Sequence, residues 1–181
     1  MTTPVLLQRL STIHRSFDAA GLDHAVGGAI ALAVHSRNPR FTADIDLNVT
    51  VDPSDPEVLL RALPRQILQD ASGVARLRAE QQTRLFWDGV PRTPVDLFLP
   101  AHPTFHTAAV ERAEPVEWLD GVKALTATDL IVFKALFDRA KDWADIEDLA
   151  GQGAGDFAEA ADWVESIVGH GTAAARLRAL A

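Results

Sequence analysis

Leu6, Leu7, Leu10, Ile13 and Phe17 return every three or four positions, so residues about 4–20 predict an amphipathic helix that Gly21 stops. The stretch "DHAVGG" predicts a short strand running into a turn, and "AIALAVHS" a second helix broken at Asn38-Pro39. Within "FTADIDLNV", residues 41–49, the period drops to two. Asp44, Asp46 and Asn48 fall on one side of a strand, and Ile45, Leu47 and Val49 on the other. A loop and a short helix interrupted or ended by Pro64 follow in "DPSDPEVLLRALPRQIL". "TRLFWDGVPRTPVDLFL" predicts a hairpin with Asp88-Gly89 near its turn, and "EPVEWL" a further short strand. From Thr126 the pattern is helical to the end, with a glycine-rich break at "GQGAG". No internal repeat or low-complexity segment is visible.

At 181 residues and 48% hydrophobic, the chain suits one domain, or a compact domain with a helical appendage. The absence of cysteine excludes disulfides, thiolate metal sites and a Cys nucleophile, and fits a reducing compartment. "MTTPVLLQRLSTIHRSF" lacks the basic start and unbroken apolar run of a signal peptide. No apolar segment approaches the roughly 18 residues that span a bilayer. A soluble, cytoplasmic protein with no membrane partner is the expectation. The net charge of −8 argues against generic nucleic-acid binding. Arg61, Arg65, Arg76, Arg78, Arg84 and Arg92 nonetheless concentrate mid-chain, either as solvated charges on helices or as a local basic patch.

The order strand, turn, helix, strand over residues 24–49 carries the first candidate chemistry. Gly27 and Gly28 sit where the strand hands over to the helix. They are either a plain tight turn or a helix start left open for an anion such as phosphate. Asp44 and Asp46 point the same way on the next strand, their Cα atoms about 6.5–7 Å apart. Such a pair repels unless a cation intervenes, and magnesium takes oxygen ligands of this kind. The alternative is a solvent-facing edge strand. A third acid, Asp96, stands alone in the apolar strand "TPVDLFLP". It needs a partner, either a metal shared with Asp44 and Asp46 or an arginine, with Arg40 one choice.

Together, Gly27-Gly28, Asp44-Ile45-Asp46 and Asp96 resemble the pattern of the DNA polymerase β-type nucleotidyltransferase superfamily, over residues about 22 to 100. The stretch from Gly28 to Asp44 is longer than in many members, so either the helix is longer or "RNPRFT" loops out. The later segment "TATDLIVFKALFDRAKDWADIEDL" resembles the Lys-x4-Arg-x-(Lys/Arg)-Asp-x2-Asp signature of the AbiEii-like and MenT-like nucleotidyltransferase toxins. Lys134, Arg139, Lys141, Asp142 and Asp145 match it, and "RFTADIDL" also looks like that group.

The resemblance implies an α+β nucleotidyltransferase fold, a small mixed β-sheet flanked by helices with a C-terminal helical region. Residues 1–125 would form the core, and 126–181 would pack on it as part of one compact unit. It implies transfer of a nucleoside monophosphate from an NTP to an acceptor hydroxyl. Asp44 and Asp46 would hold two magnesium ions, with Asp96 sharing the catalytic metal. Gly27, Gly28 and Lys134 would cradle the triphosphate, with Arg139 and Asp145 contributing to nucleotide binding. The branch implies a toxin of a bacterial toxin–antitoxin locus, an RNA acceptor such as a tRNA 3′ end, and a possible cognate antitoxin. A small-molecule enzyme of the aminoglycoside-modifying kind and a non-catalytic binding partner are the alternatives.

The residues of that segment carry their own reading. Thr126 and Asp129 form a helix start close to a capping box. If the helix runs unbroken, Lys134, Lys141 and Asp145 lie beside the stripe Leu130, Phe133, Phe137, Ala140 and Ala144. Lys134 would then face a cleft and hold phosphate, or pair with Asp138 while Lys141 pairs with Asp145. Asp142 and Asp145 could orient Lys134 or Arg139. His102 and His106 have a two-ligand zinc spacing but no third ligand, and Pro103 suggests a helix start instead. Trp87, Trp118, Trp143 and Trp163 are expected in the core, and Ser36 at a helix end.

Overall fold

A computed structural model describes residues 4–181; the first three residues of the N-terminal stretch lie outside the described residues. Helix α1 (Val5–Ala19) buries Leu10, Ile13 and Phe17 completely. It stops where Gly21 turns left-handed, with φ +67°. The amide of Gly21 then bonds the carbonyl of Asp18, and the amide of Leu22 that of Phe17, which satisfies carbonyls the helix leaves free.

Strand β1 (His24–Val26) leads through Gly27 into α2 (Gly28–His35), and β2 (Ile45–Val49) follows after a loop over residues 36–44. Helix α2 has only eight residues, so the extra length before Asp44 is taken up by that loop. Next come α3 (Glu57–Ala62), β3 (Ile67–Leu68), α4 (Ala71–Glu80), and the hairpin β4 (Gln82–Trp87) with β5 (Thr93–Phe98). Helix α5 (Pro103–Arg112), β6 (Glu114–Pro115), a 3-10 turn at Glu117–Leu119 and β7 (Lys123–Ala124) complete the sheet region. The chain closes with α6 (Ala127–Phe137), α7 (Ala140–Gly151), α8 (Phe157–Val168) and α9 (Thr172–Arg178).

The seven strands form one mixed sheet in the order β3-β4-β5-β2-β1-β7-β6. Strands β2 and β5 run parallel at its centre, and β1 is antiparallel to β2. Ile45, Leu47, Val49, Leu85, Val95 and Leu97 are all fully buried. Their alternation leaves Asp46, Arg84 and Asp96 together on the other face. No helix is long and apolar enough to cross a membrane.

Two elements differ from the sequence reading. Helix α4 was not apparent, because Leu77 is its only fully buried large apolar side chain. Its start is fixed by Asp70, whose carboxylate accepts the amide of Gly73 at 2.7 Å. The long C-terminal helix is also not continuous. Asp138 adopts φ +52° and ends α6, Arg139 caps α7, and Asp138 accepts the Trp143 indole N–H at 2.6 Å. The break turns α7 back on α6 and replaces one helix face by a helical hairpin. Trp87 and Trp143 are buried as expected, whereas Trp118 is 55% exposed beside the 3-10 turn. Ser36 caps α2 and donates to Asp148 at 2.6 Å.

Candidate active site

The register of the two central strands sets the site. Asp46 lies opposite Asp96 across the parallel β2–β5 pair, so both carboxylates project from the same face. Asp44 stands two residues ahead of Asp46, just outside the strand. Arg84 on β4 lies opposite Asp96 from the other side. Its guanidinium donates to both oxygens of Asp96, at 2.8 and 2.6 Å, and to Asp44 at 3.1 Å. The cation beside Asp96 is therefore Arg84. Arg40, the arginine considered from the sequence, pairs with Asp145 instead, at 3.2 Å. No single spacing rule links positions 84 and 96, which the hairpin brings together.

Asp46 has no such bridge. Burial, and then the neighbouring Asp96 and Asp44 charges, push its carboxyl up to about 6 despite Lys134 and Lys141. The hydrogen bonds to Asp96 hold the Arg84 guanidinium charged above its ordinary range. The three acids thus form a repelling set with one half-exposed arginine between two of them.

The Gly27-Gly28 turn closes directly over this set. Gly27 donates its amide to the Asp46 carbonyl at 2.9 Å. Gly28 has φ +53°, and a Cβ there would stand 1.9 Å from Asp46 Oδ2. Only glycine allows this turn, which brings the N-terminus of α2 beside the carboxylates.

The facing wall comes from the α6–α7 hairpin. Lys134 is 3% exposed, and its Nζ lies 2.6 Å from Asp145 and 3.8 Å from Asp142. Arg139 pairs with Asp142 at 2.5 Å. The helix break explains why Lys134 meets Asp145 rather than Asp138, and why Lys141 does not pair along one continuous helix. Asp145 orients Lys134, and Asp142 orients Arg139.

These walls enclose a cleft of ≈ 340 Å³ lined by Gly28, Asp44, Asp46, Asp96, Lys134, Arg139, Lys141 and Asp142. Arg40, Arg76 and Arg84 also line it. Of the mid-chain arginines, Arg76 and Arg84 thus face the cleft, while Arg61 and Arg78 sit on α3 and α4 outside it. Gly27 and Asp145 do not line it; Gly27 bonds the Asp46 carbonyl through its amide, and Asp145 pairs with Lys134. Arg84, Arg40 and Arg76 were not assigned to the site from sequence. His102 and His106 form no metal cluster with a third donor among the described residues. His106 is buried on α5, which starts at Pro103 as expected.

No protein-family model and no curated protein matches this sequence. Solved structures do resemble the fold. An antigenic nucleotidyltransferase-like protein from Paracoccidioides brasiliensis superposes with a TM-score of 0.51 at 20% identity, covering 80% of this chain and 73% of that one. The solution structure of the antibiotic-resistance factor ANT(2'')-Ia gives a TM-score of 0.55 at 14% identity, covering 96% and 94%. The fold is that of nucleotidyltransferase-like proteins, a mixed sheet flanked by helices.

Proposed function

We propose that this chain is a magnesium-dependent nucleotidyltransferase that moves a nucleoside monophosphate from an NTP to an acceptor hydroxyl, releasing pyrophosphate. The observation that carries the reading is the placement of Asp44, Asp46 and Asp96 on one face beneath a glycine-started helix. The donor set fits the metal. All three side chains offer hard oxygen ligands, and the burial and carboxylate repulsion that raise Asp46 to about 6 are what a bound divalent cation would offset. Asp44, Asp46 and Asp96 would hold two magnesium ions, which when bound stabilise charge on the transferring phosphoryl group and leaving pyrophosphate.

The chain's own groups supply the rest. The open backbone at Gly27 and Gly28 lets phosphate oxygens approach the N-terminus of α2, where amides and the helix dipole favour negative charge. Lys134, fixed by Asp145, places a cation on the opposite wall, and Arg139 and Lys141 extend it. Asp96 is the carboxylate that accepts a hydrogen bond from the attacking hydroxyl and favours its ionisation. Arg84 must release Asp44 and Asp96 as they take up other partners, which leaves its charge free for phosphate.

The acceptor we assign is an RNA 3′ hydroxyl, that of a tRNA, in the role of a toxin with a cognate antitoxin. Its support is the cation content of the cleft: Arg40, Arg76, Arg84, Lys134, Arg139 and Lys141 line it in a protein of net charge −8. Asp44, Asp46, Glu80, Asp96 and Asp142 line the same cleft, and the metals proposed above would offset three of them, which leaves the cations to meet an anionic acceptor. The second reading, a small-molecule acceptor of the aminoglycoside kind, draws on the fold likeness to an antibiotic-resistance factor along nearly the whole chain. Incubation with magnesium, each NTP in turn, and either tRNA or a panel of aminoglycosides separates the two. Labelled tRNA with unmodified drugs supports the RNA reading, and modified drugs with untouched tRNA replaces it.

A further inference from the structure

The end of β1 remote from Gly27 carries a cluster that nucleotide chemistry does not use. His14 and Asp18, one turn apart on α1, meet His24 at the start of β1. One donor atom from each lies within 4.8 Å of the others. His24 Nδ1 is 2.7 Å from the carbonyl of Leu22, so that nitrogen carries the proton and Nε2 presents a lone pair. His14 Nδ1 lies 2.9 Å from that lone pair, and His14 Nε2 lies 3.3 Å from Asp18 Oδ2.

These contacts cannot all be favourable with neutral rings. A neutral His14 has one N–H. Turned to His24, it leaves a lone pair against the Asp18 carboxylate. Turned to Asp18, it leaves two lone pairs facing each other at 2.9 Å. A cation resolves the conflict. A metal ion drawing one donor atom from each of His14, Asp18 and His24, which lie within 4.8 Å of one another, would use the His24 lone pair and the Asp18 charge together. The Leu22 carbonyl then holds the other nitrogen of His24, the outer-sphere arrangement that fixes ligating histidines. Burial of His24 favours its neutral, ligating form.

We propose that His14, Asp18 and His24 form a second metal site, of the zinc-binding kind, that clips the end of α1 to the start of β1. Two imidazoles and a carboxylate suit zinc, whereas magnesium takes all-oxygen sets such as the cleft acids. His14 is only partly buried and Asp18 is exposed, so the position is open to an entering ion. The intervening Ala20, Gly21, Leu22 and Asp23 form the connection that the metal would brace. The site holds or fails independently of the cleft.

The test uses the untagged 181-residue chain stripped with chelator and titrated with Co²⁺ as a visible probe, then with Zn²⁺. The expected result is the intense visible bands of nitrogen-ligated, four-coordinate cobalt, saturating at one equivalent and displaced by Zn²⁺, while Co²⁺ taken by the oxygen ligands of the cleft stays weakly coloured. Zn²⁺ should also raise the melting temperature. His14→Gln should lose both signals while retaining a native circular dichroism spectrum, with Asp18→Asn as a milder variant should that fold be perturbed. Asp46→Asn, in the cleft, should keep both. Absence of the bands in the native chain, their survival in His14→Gln, or their loss in Asp46→Asn alone would overturn the proposal.

Discussion

Replacing Asp46 by Asn should make the protein more stable at neutral pH while destroying its activity. The reason lies in the electrostatics of the β2–β5 face. The Asp46 carboxyl titrates at about 6, pushed there by burial and by the Asp96 and Asp44 charges. In the unfolded chain it titrates near the ordinary value for an aspartate, about 4. The folded state therefore holds the proton more tightly than the unfolded state. Below pH 4 both states are protonated and the site costs nothing. As pH rises from about 4 through 6, ionisation costs the folded state progressively more, and above that range the cost is constant. A gap of about two pH units at ~1.4 kcal/mol each sets the full penalty at ~3 kcal/mol. Asn keeps the shape without the charge. Urea denaturation of native and Asp46→Asn protein, magnesium-free, should give equal stabilities near pH 4 and a difference approaching ~3 kcal/mol in favour of the variant at pH 7. A variant equal to or less stable than the native chain at pH 7 would refute the reasoning.

Arg84→Gln removes the guanidinium that bridges Asp44 and Asp96, so Mg²⁺ should raise the melting temperature of the variant more than that of the native chain; equal shifts would exclude competition for the same oxygens. Lys134→Met leaves the buried carboxylate of Asp145 with Arg40 as its remaining partner and should cost ~1–3 kcal/mol in chemical denaturation, with Lys134→Met/Asp145→Leu recovering part of the loss. Gly28→Ala forces a Cβ to within 1.9 Å of Asp46 Oδ2 at φ +53°, so it should lower the melting temperature and abolish transfer together; full activity would show that the turn does not close on the acid.

The local pattern made the centre of the molecule legible. Alternation through Asp44–Val49 and around Asp96 assigned two strands, and their parallel register then placed the acids together. The helical spacing of Leu10, Ile13 and Phe17 did the same for α1. What the sequence concealed depends on tertiary contacts. Arg84 reaches Asp96 only because the β4–β5 hairpin sets them opposite each other, and its pattern looks like that of any exposed strand arginine. The break at Asp138 carries no proline or glycine; it is an aspartate in a left-handed conformation held by Trp143. That break decides the partner of Lys134, so a continuous helix suggested the wrong pairing. Helix α4 is short of apolar residues, yet it delivers Arg76 to the cleft. The pairing of His14 with His24 joins a helix to a strand across a turn, which no periodicity displays.

The most direct test of the central claim is transfer of label from an α-phosphate-labelled NTP by the purified chain with Mg²⁺ and tRNA, beside Asp46→Asn. The claim predicts labelled RNA and stoichiometric pyrophosphate from the native chain, and neither from the variant even though it is folded and more stable. Equal labelling by both proteins would contradict it, because the transfer would then owe nothing to the Asp46 carboxylate at the centre of the acidic set.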